Sequence, residues 1–153
     1  MRVALALLSL AALPAAAGCL DPDERRPGLA LTGEAAAPAS DWSFSDAHRE
    51  IAIQVRTPYW IPHSVTIWCA TLDGALYLGA RDPESKRWPG WVDRDPRVRL
   101  GIGGRTYEVE LAPVEDPERV ARIRAAYARK YQLPETPSDG APPTRYWSVS
   151  PRA

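Results

Sequence analysis

The dipeptide Asp73-Gly74 most constrains how this chain can fold, because it joins two segments in which apolar and polar residues alternate. Asp-Gly is favoured in two-residue β-hairpin turns, since both of its residues tolerate a positive φ. Residues 63–70 precede the turn and residues 75–81 follow it. A β-hairpin is therefore expected here. In its first strand, one predicted face carries Val65, Ile67 and Cys69, and the other carries Ser64, Thr66 and Trp68.

Similar patterns predict the other strands. Alternation indicates strands at residues 51–55, 98–102, 107–111 and 144–150. Gly103-Gly104 would close the second hairpin, between residues 98–102 and 107–111.

One long helix is expected after the second hairpin. Asp116-Pro117-Glu118 provides an acidic N-cap, a proline at the first helical position and a negative first turn. Its predicted apolar stripe is Val120, Ile123, Tyr127 and Tyr131. A short helix is expected within residues 43–49, and a loop that contains one helical turn is expected at 82–95. This order predicts a mainly β domain whose six antiparallel strands form a small barrel or a strongly curled sheet.

Composition is consistent with one domain and excludes several functions. The 153 residues carry 19 Lys+Arg and 19 Asp+Glu, so no charge excess favours nucleic acid as a partner. Two cysteines cannot form a disulfide framework or a cysteine zinc site. Neither histidine, His48 or His63, has the spacing of a metal ligand. Cys69 falls on the predicted inner face, where a thiol is usually inert.

The N-terminal residues predict export. Arg2 precedes an apolar run over residues 3–13, which is typical of a signal peptide and too short to span a membrane. The segment Ala16-Ala17-Gly18-Cys19 resembles the bacterial lipobox, which implies cleavage before Cys19 and lipid attachment to it. Leu20, in place of an aspartate, implies outer-membrane sorting with the domain facing the periplasm. Ordinary secretion, with cleavage after Ala17 and Cys19 as a chance thiol, is the alternative.

Three segments follow from these patterns. Residues 1–18 are the predicted signal peptide. Residues 19–40, rich in Pro, Ala, Gly and charge, are the predicted lipid anchor and flexible tether. Residues 41–153 are the predicted folded domain.

The loop after residue 81 holds the best candidate for an anion site. A hydroxyl and two cations in Ser85-Lys86-Arg87 can present several charge-assisted donors to a phosphate. The alternative is a solvated loop in which the cations pair with Asp82 and Glu84. Trp68 and Trp88 are candidates to line a pocket by stacking on a flat ligand. The alternative is that these tryptophans supply bulk to a core in a chain with one Phe.

Several segments together resemble the flavin-binding split β-barrel superfamily, which includes pyridoxamine-phosphate oxidases and deazaflavin-dependent reductases. They are the strand HSVTIW, the hairpin, the strand LYLGAR, the run SKRW…RDPRVRL, the Gly-Gly turn and the strand YEVE. The resemblance covers about residues 42–152. It implies a six-stranded antiparallel split β-barrel and a homodimer. It also implies a flavin-type cofactor, FMN or a deazaflavin, in a cleft between subunits.

The resemblance also implies roles for particular residues. In such proteins the flavin ring lies against the strand equivalent to residues 63–68, and basic side chains hold the phosphate. It assigns the ring and ribityl chain to His63, Ser64, Thr66 and Trp68. It assigns the phosphate to Arg81, Lys86 and Arg87.

Three functions stay open at this point. The leading hypothesis is a lipid-anchored envelope protein that binds a flavin-type cofactor and carries out small-molecule oxidoreduction. The second is a non-catalytic module whose barrel has lost the cofactor and holds another ligand or a protein. The third is a structural envelope lipoprotein. No catalytic acid, base or nucleophile is evident, and a cofactor that moves the hydride itself does not require one. Enzymatic activity is therefore left open.

Overall fold

The computed structural model describes residues 28–134 and 138–152. The predicted signal peptide and Cys19 lie outside the described residues. Across the two described ranges, no helix is both long and apolar enough to cross a membrane.

In the described part of the chain, eight strands form one sheet. The strands are β1 (Glu34–Ala36), β2 (Ile51–Arg56), β3 (Pro62–Ile67), β4 (Cys69–Leu72), β5 (Ala75–Arg81), β6 (Arg97–Ile102), β7 (Arg105–Pro113) and β8 (Thr144–Pro151). The helices are α1 (Arg87–Val92), α2 (Pro117–Tyr131) and the 3-10 helices Ser43–Ala47 and Pro83–Ser85. The sheet order is β3-β2-β6-β7-β8-β5-β4 with antiparallel pairing, and β1 adds to β7 in parallel.

Both predicted hairpins are confirmed. Asp73 and Gly74 have φ values of +53° and +77°, and Gly103 and Gly104 have +57° and +78°. Because all four φ values are positive, each turn has the backbone twist that suits flanking antiparallel strands. The registers place Leu72 opposite Ala75 and Ile102 opposite Arg105, so both loops contain two residues.

The long helix begins where the sequence predicts. The Asp116 carboxylate accepts a hydrogen bond of 2.8 Å from the backbone N–H of Arg119, which is the expected N-cap contact. Ile123, Tyr127 and Tyr131 of the predicted stripe are buried. They pack with Tyr77 and Tyr146 in a cluster that joins α2 to the sheet. The larger cluster of the core includes Trp42, Ile53, Leu78, Leu100 and Trp147.

The predicted strand at residues 63–70 is interrupted, which corrects the sequence-based expectation. The chain leaves β3 after Ile67 and enters β4 at Cys69, and only Trp68 lies between them. β3 pairs with β2, whereas β4 pairs with β5, so the strand changes partner at Trp68. Together with the addition of β1, this division gives eight strands in place of the six expected.

The expected alternation of faces also fails in β3. Ser64, predicted on the outer face, is 1% exposed, while Val65 is only partly buried. Gly28 exchanges backbone hydrogen bonds of 2.7 and 3.0 Å with Ser64, so the segment before β1 covers this position.

The part of the predicted tether that is described contacts the domain. β1 pairs with β7, with Glu34 opposite Arg105. Leu31 is buried, and its backbone N–H donates to Gln54 Oε1 at 2.7 Å. A strand of three residues has no period that a sequence pattern could reveal, so the prediction of a flexible tether did not include it.

Two tyrosines of α2 satisfy backbone groups at the interruption. The Tyr131 phenol accepts from the Cys69 N–H at 3.0 Å and lies 2.8 Å from the carbonyl oxygens of Arg49 and Cys69. The Tyr127 phenol lies 3.1 Å from the carbonyl oxygens of Trp68 and Tyr77. Burial raises the pKa of both phenols, so both stay protonated and available as donors.

Replacing Tyr131 with Phe should therefore destabilise the fold. The change leaves the amide and the carbonyl group of Cys69 without the Tyr131 phenol as their partner. This loss should lower the free energy of unfolding by about 1–3 kcal/mol. Urea denaturation measures the free energy of unfolding. Tyr107→Phe is the matched control, because the phenol of this buried tyrosine makes no hydrogen bond within the described residues. A loss no larger for Tyr131→Phe than for the control would contradict the assignment.

Candidate functional site

A groove of about 620 Å³ lies where the chain passes from β3 to β4 and where β5 ends. Its volume is in the range of roughly 300–1,000 Å³ that is common for small-molecule sites. It brings together five of the eight residues that the sequence assigns to a cofactor. They are Thr66, Trp68, Arg81, Lys86 and Trp88.

The other three predicted residues do not line this groove. His63 packs edge-to-face on Trp91, with ring centroids 5.1 Å apart, and its partial burial and the Arg87 guanidinium lower its pKa. Ser64 is buried beneath the contact with Gly28. Arg87 is exposed at the start of α1.

Trp68 forms a flat wall of the groove. Its indole stacks on Tyr131, with ring centroids 4.3 Å apart and planes inclined by 9°. The indole N–H donates to Glu50 Oε1 at 3.3 Å, which fixes the ring in its plane. Trp68 nevertheless stays 36% exposed, so part of its surface is open to the groove.

Trp88 belongs mainly to the core. It is 5% exposed and its ring lies 5.1 Å from that of Trp147. One side of Trp88 still contributes to the groove, so its two interpretations, core and pocket wall, are compatible.

Thr66 lines the groove and carries a buried polar atom without a partner. Its Oγ1 is buried and has no hydrogen-bond partner within residues 28–134 and 138–152. A buried hydroxyl without a partner costs about 1–3 kcal/mol, so a ligand group that bonded to it would recover that free energy.

The predicted anion cluster at Ser85-Lys86-Arg87 does not assemble as expected. Lys86 Nζ donates to the carbonyl oxygens of Arg81 and Asp82, the latter at 3.3 Å. Ser85 Oγ also donates to the Asp82 carbonyl, at 2.8 Å. The turn thus uses these donors for its own carbonyl groups. The alternative expectation is that the cations pair with the carboxylates of Asp82 and Glu84. Lys86 does not do this, because its amine bonds to backbone carbonyl oxygens.

Arg81 differs from Lys86 in this respect. Its guanidinium makes no hydrogen bond or ion pair with any described residue. Of the cations that the sequence assigns to a phosphate, Arg81 is therefore the one that lines the groove with its donors available.

Cys69 is buried, as predicted. It is 0% exposed, and burial raises the pKa of its thiol even though Lys130 Nζ lies 3.5 Å from the sulfur. Within the described ranges, no three or more His, Cys, Asp or Glu side chains come together in a group that could hold a metal ion.

Sequence reasoning missed three polar residues of the groove. Glu50 precedes β2, Tyr127 comes from α2, and Thr144 begins β8 opposite Arg81. Tyr127 was expected only in the core. No local pattern identifies these residues, because they come from separate elements that only the sheet topology brings together.

Comparison with solved structures identifies the fold. A candidate pyridoxamine 5'-phosphate oxidase from Listeria innocua is 16% identical, with a TM-score of 0.54 over 71% of this chain and 87% of that one. An FAD-binding protein from Mesorhizobium loti is 13% identical, with a TM-score of 0.51 over 72% and 84%. The heme storage protein HutZ from Vibrio cholerae is 10% identical, with a TM-score of 0.53 over 72% and 87%. The fold is thus mainly β and like that of split-barrel proteins.

Comparison with sequences identifies the family. No curated protein matches the chain. Residues 44–141 match the family model described as an uncharacterized protein conserved in bacteria, DUF2255. Because this match covers more than half of the 153 residues and most of the sheet, the protein belongs to the DUF2255 family.

Proposed function

We propose that the groove binds a flavin-type cofactor, FMN or a deazaflavin, and that the protein carries out oxidoreduction of a small molecule. One observation carries the proposal. A flat aromatic wall at Trp68, an unpartnered hydroxyl at Thr66 and an available guanidinium at Arg81 line the same groove. Counting β3 and β4 as one interrupted strand and leaving aside the three-residue β1, the architecture we propose is the six-stranded split β-barrel.

These groups fit the parts of a flavin. The exposed surface of Trp68 suits stacking against a planar ring. The Thr66 hydroxyl suits a hydrogen bond to a polar ring atom or to the ribityl chain. Arg81 can present two N–H groups to a phosphate.

A flavin supplies hydride transfer when bound, and the protein supplies binding and orientation. The stack on Tyr131 and the hydrogen bond to Glu50 hold Trp68 in place. The phenols of Tyr127 and Tyr131 do not act as bases near neutral pH, since burial raises the pKa of both. Their role is to position the backbone that forms the groove.

A non-catalytic binding role is the second candidate. It is favoured by Lys86, whose amine donates to the carbonyl oxygens of Arg81 and Asp82. In that case the groove would hold a different ligand, or a protein partner, with no redox chemistry.

Flavin binding is testable with the purified protein. FMN, or a deazaflavin, should raise the melting temperature and should lose fluorescence on binding. Trp68→Ala should weaken this binding by about tenfold, because it removes the stacking wall. Phe44→Ala is the control, since Phe44 is a partly exposed aromatic residue outside the groove. If neither cofactor changes the melting temperature or its own fluorescence, the flavin proposal is wrong.

We also propose that the protein is a homodimer. The loop between β2 and β3 exposes three consecutive large residues, Tyr59 at 55%, Trp60 at 82% and Ile61 at 54%. Trp60 has a φ of +66°, which is unfavourable for a bulky side chain. Thr57 holds this conformation by accepting from the Trp60 N–H and donating to the Ile61 carbonyl oxygen. An apolar tip maintained against backbone strain supports a contact surface.

Trp60→Ser should shift the protein from dimer to monomer in sedimentation velocity, because it removes the most exposed apolar side chain of the tip. Phe44→Ser, which removes an exposed aromatic residue elsewhere, should leave the dimer unchanged. A wild-type protein that sediments as a monomer at all concentrations would exclude the dimer.

We propose, finally, that the protein is a lipid-anchored envelope protein, attached through Cys19 to the outer membrane and facing the periplasm. The support is the sequence pattern of residues 1–20. Multiple acyl chains on one cysteine would provide stable attachment.

Growth of a producing bacterium with labelled palmitate tests this anchor. The wild type should be labelled and Cys19→Ser should not. Cys69→Ser is the matched control and should keep the label, because it removes the other thiol of the chain. An unlabelled wild type would refute the lipid anchor.

A further inference from the structure

A second compartment of about 290 Å³ adjoins the groove, and we refer to it as the Arg124 compartment. Four residues line both spaces, so the two lie side by side: Arg81, Tyr127, Leu133 and Thr144. The Arg124 compartment lies between the middle of α2 and the described residues 138–143, which precede β8. Arg124, Ser138 and Tyr146 line only this second space.

The lining of the Arg124 compartment is cationic. Arg81 and Arg124 contribute two guanidinium groups, and no carboxylate is among the described residues that line it. Arg81 makes no ion pair within the described ranges. Burial raises the pKa of the Tyr146 phenol, and both the charge of the Arg124 guanidinium and its hydrogen bond to that phenol oppose this shift. The Arg124 guanidinium therefore lies beside Tyr146 in the compartment wall.

Paired backbone holds both arginines in place. Arg81 lies opposite Thr144 in the register of β5 and β8. The Asp82 N–H donates to the Pro143 carbonyl oxygen at 2.8 Å, which fixes the segment before β8 against the end of β5. Arg124 is on α2, one turn before Tyr127, whose phenol bonds to the sheet backbone.

We propose that the Arg124 compartment binds the anionic end, a phosphate or a carboxylate, of a ligand of the groove. The inference rests on the proposed function in one respect only, namely that the part of this ligand in the groove is a flavin. Arg81 can offer paired N–H donors to an oxyanion, and Arg124 can offer the N–H groups that its hydrogen bond to Tyr146 leaves available. The Ser138 hydroxyl adds a neutral donor. Arg124 thereby takes the role that the sequence assigned to Lys86 and Arg87.

Inorganic phosphate is the first probe, with the purified protein and with sodium chloride at equal ionic strength as the reference. Phosphate should raise the melting temperature of the wild type. Arg124→Gln should weaken phosphate binding by roughly tenfold or more, as expected for the loss of a charge-assisted contact. Arg129→Gln is the matched control, since it removes the same charge from an exposed position of α2. Arg81→Gln, at an exposed site, provides a second variant if Arg124→Gln does not fold.

FMN and riboflavin are the second pair of probes, because riboflavin has the ring without the phosphate. Arg124→Gln should weaken FMN and leave riboflavin unchanged if the compartment holds the cofactor's phosphate. If FMN-loaded protein still gains stability from phosphate through Arg124, the compartment holds the anion of a separate substrate.

The outcomes separate this inference from the flavin proposal. Phosphate stabilisation that depends on Arg124, in a protein that binds neither flavin, supports the compartment and overturns the flavin proposal. If the protein binds a flavin, but neither arginine variant changes its affinity for phosphate or FMN, the anion-binding role of the Arg124 compartment is wrong and the flavin proposal stands.

Discussion

The hydrogen bonds between the tyrosines of α2 and the backbone around Trp68 are the interaction on which the rest of the structure depends. A strand that changes partner leaves amide and carbonyl groups without a neighbouring ladder, and such groups are costly when buried. The Tyr131 phenol accepts a hydrogen bond from the Cys69 amide, and the Tyr127 phenol donates one to the Trp68 carbonyl oxygen. Because Tyr131 also stacks on Trp68 and Tyr127 lines the groove, one contact between helix and sheet determines both the course of the strand and the shape of the candidate site.

The availability of cations in the site follows from the hydrogen-bonding demands of the backbone. Lys86 lies in a tight turn that begins with Asp82 at a φ of +51°. Its amine donates to the carbonyl oxygens of Arg81 and Asp82. Arg81, at the end of β5, and Arg124, on α2, donate to no backbone carbonyl group of the described residues, and both line the second cavity. A charged residue in a loop is therefore a weaker indication of an anion site than one on a strand end or a helix face.

Local signals predicted the elements of this fold well, and contacts between distant residues limited the rest. Asp73-Gly74 and Gly103-Gly104 identify their hairpins because turn geometry depends on two residues. Asp116-Pro117 identifies the start of α2 for the same reason. The interruption at Trp68 depends on Tyr131, 63 positions further along the chain, and the pairing of β1 depends on β7. Likewise, the family resemblance pointed to Thr66, Trp68 and Arg81, whereas Glu50, Thr144 and Arg124 required the topology that brings three other elements to the same place.

The burial of Cys69 has a practical consequence. Reagents that modify thiols reach this sulfur only when the surrounding structure opens, since the core cluster, Lys130 of α2 and Ser45 of the first 3-10 helix enclose the side chain. The rate of modification therefore measures how often this region opens, in the same way that amide exchange measures local opening. In a chain whose Cys19 is acylated or replaced, the single remaining thiol is a built-in reporter of the contact that shapes the groove.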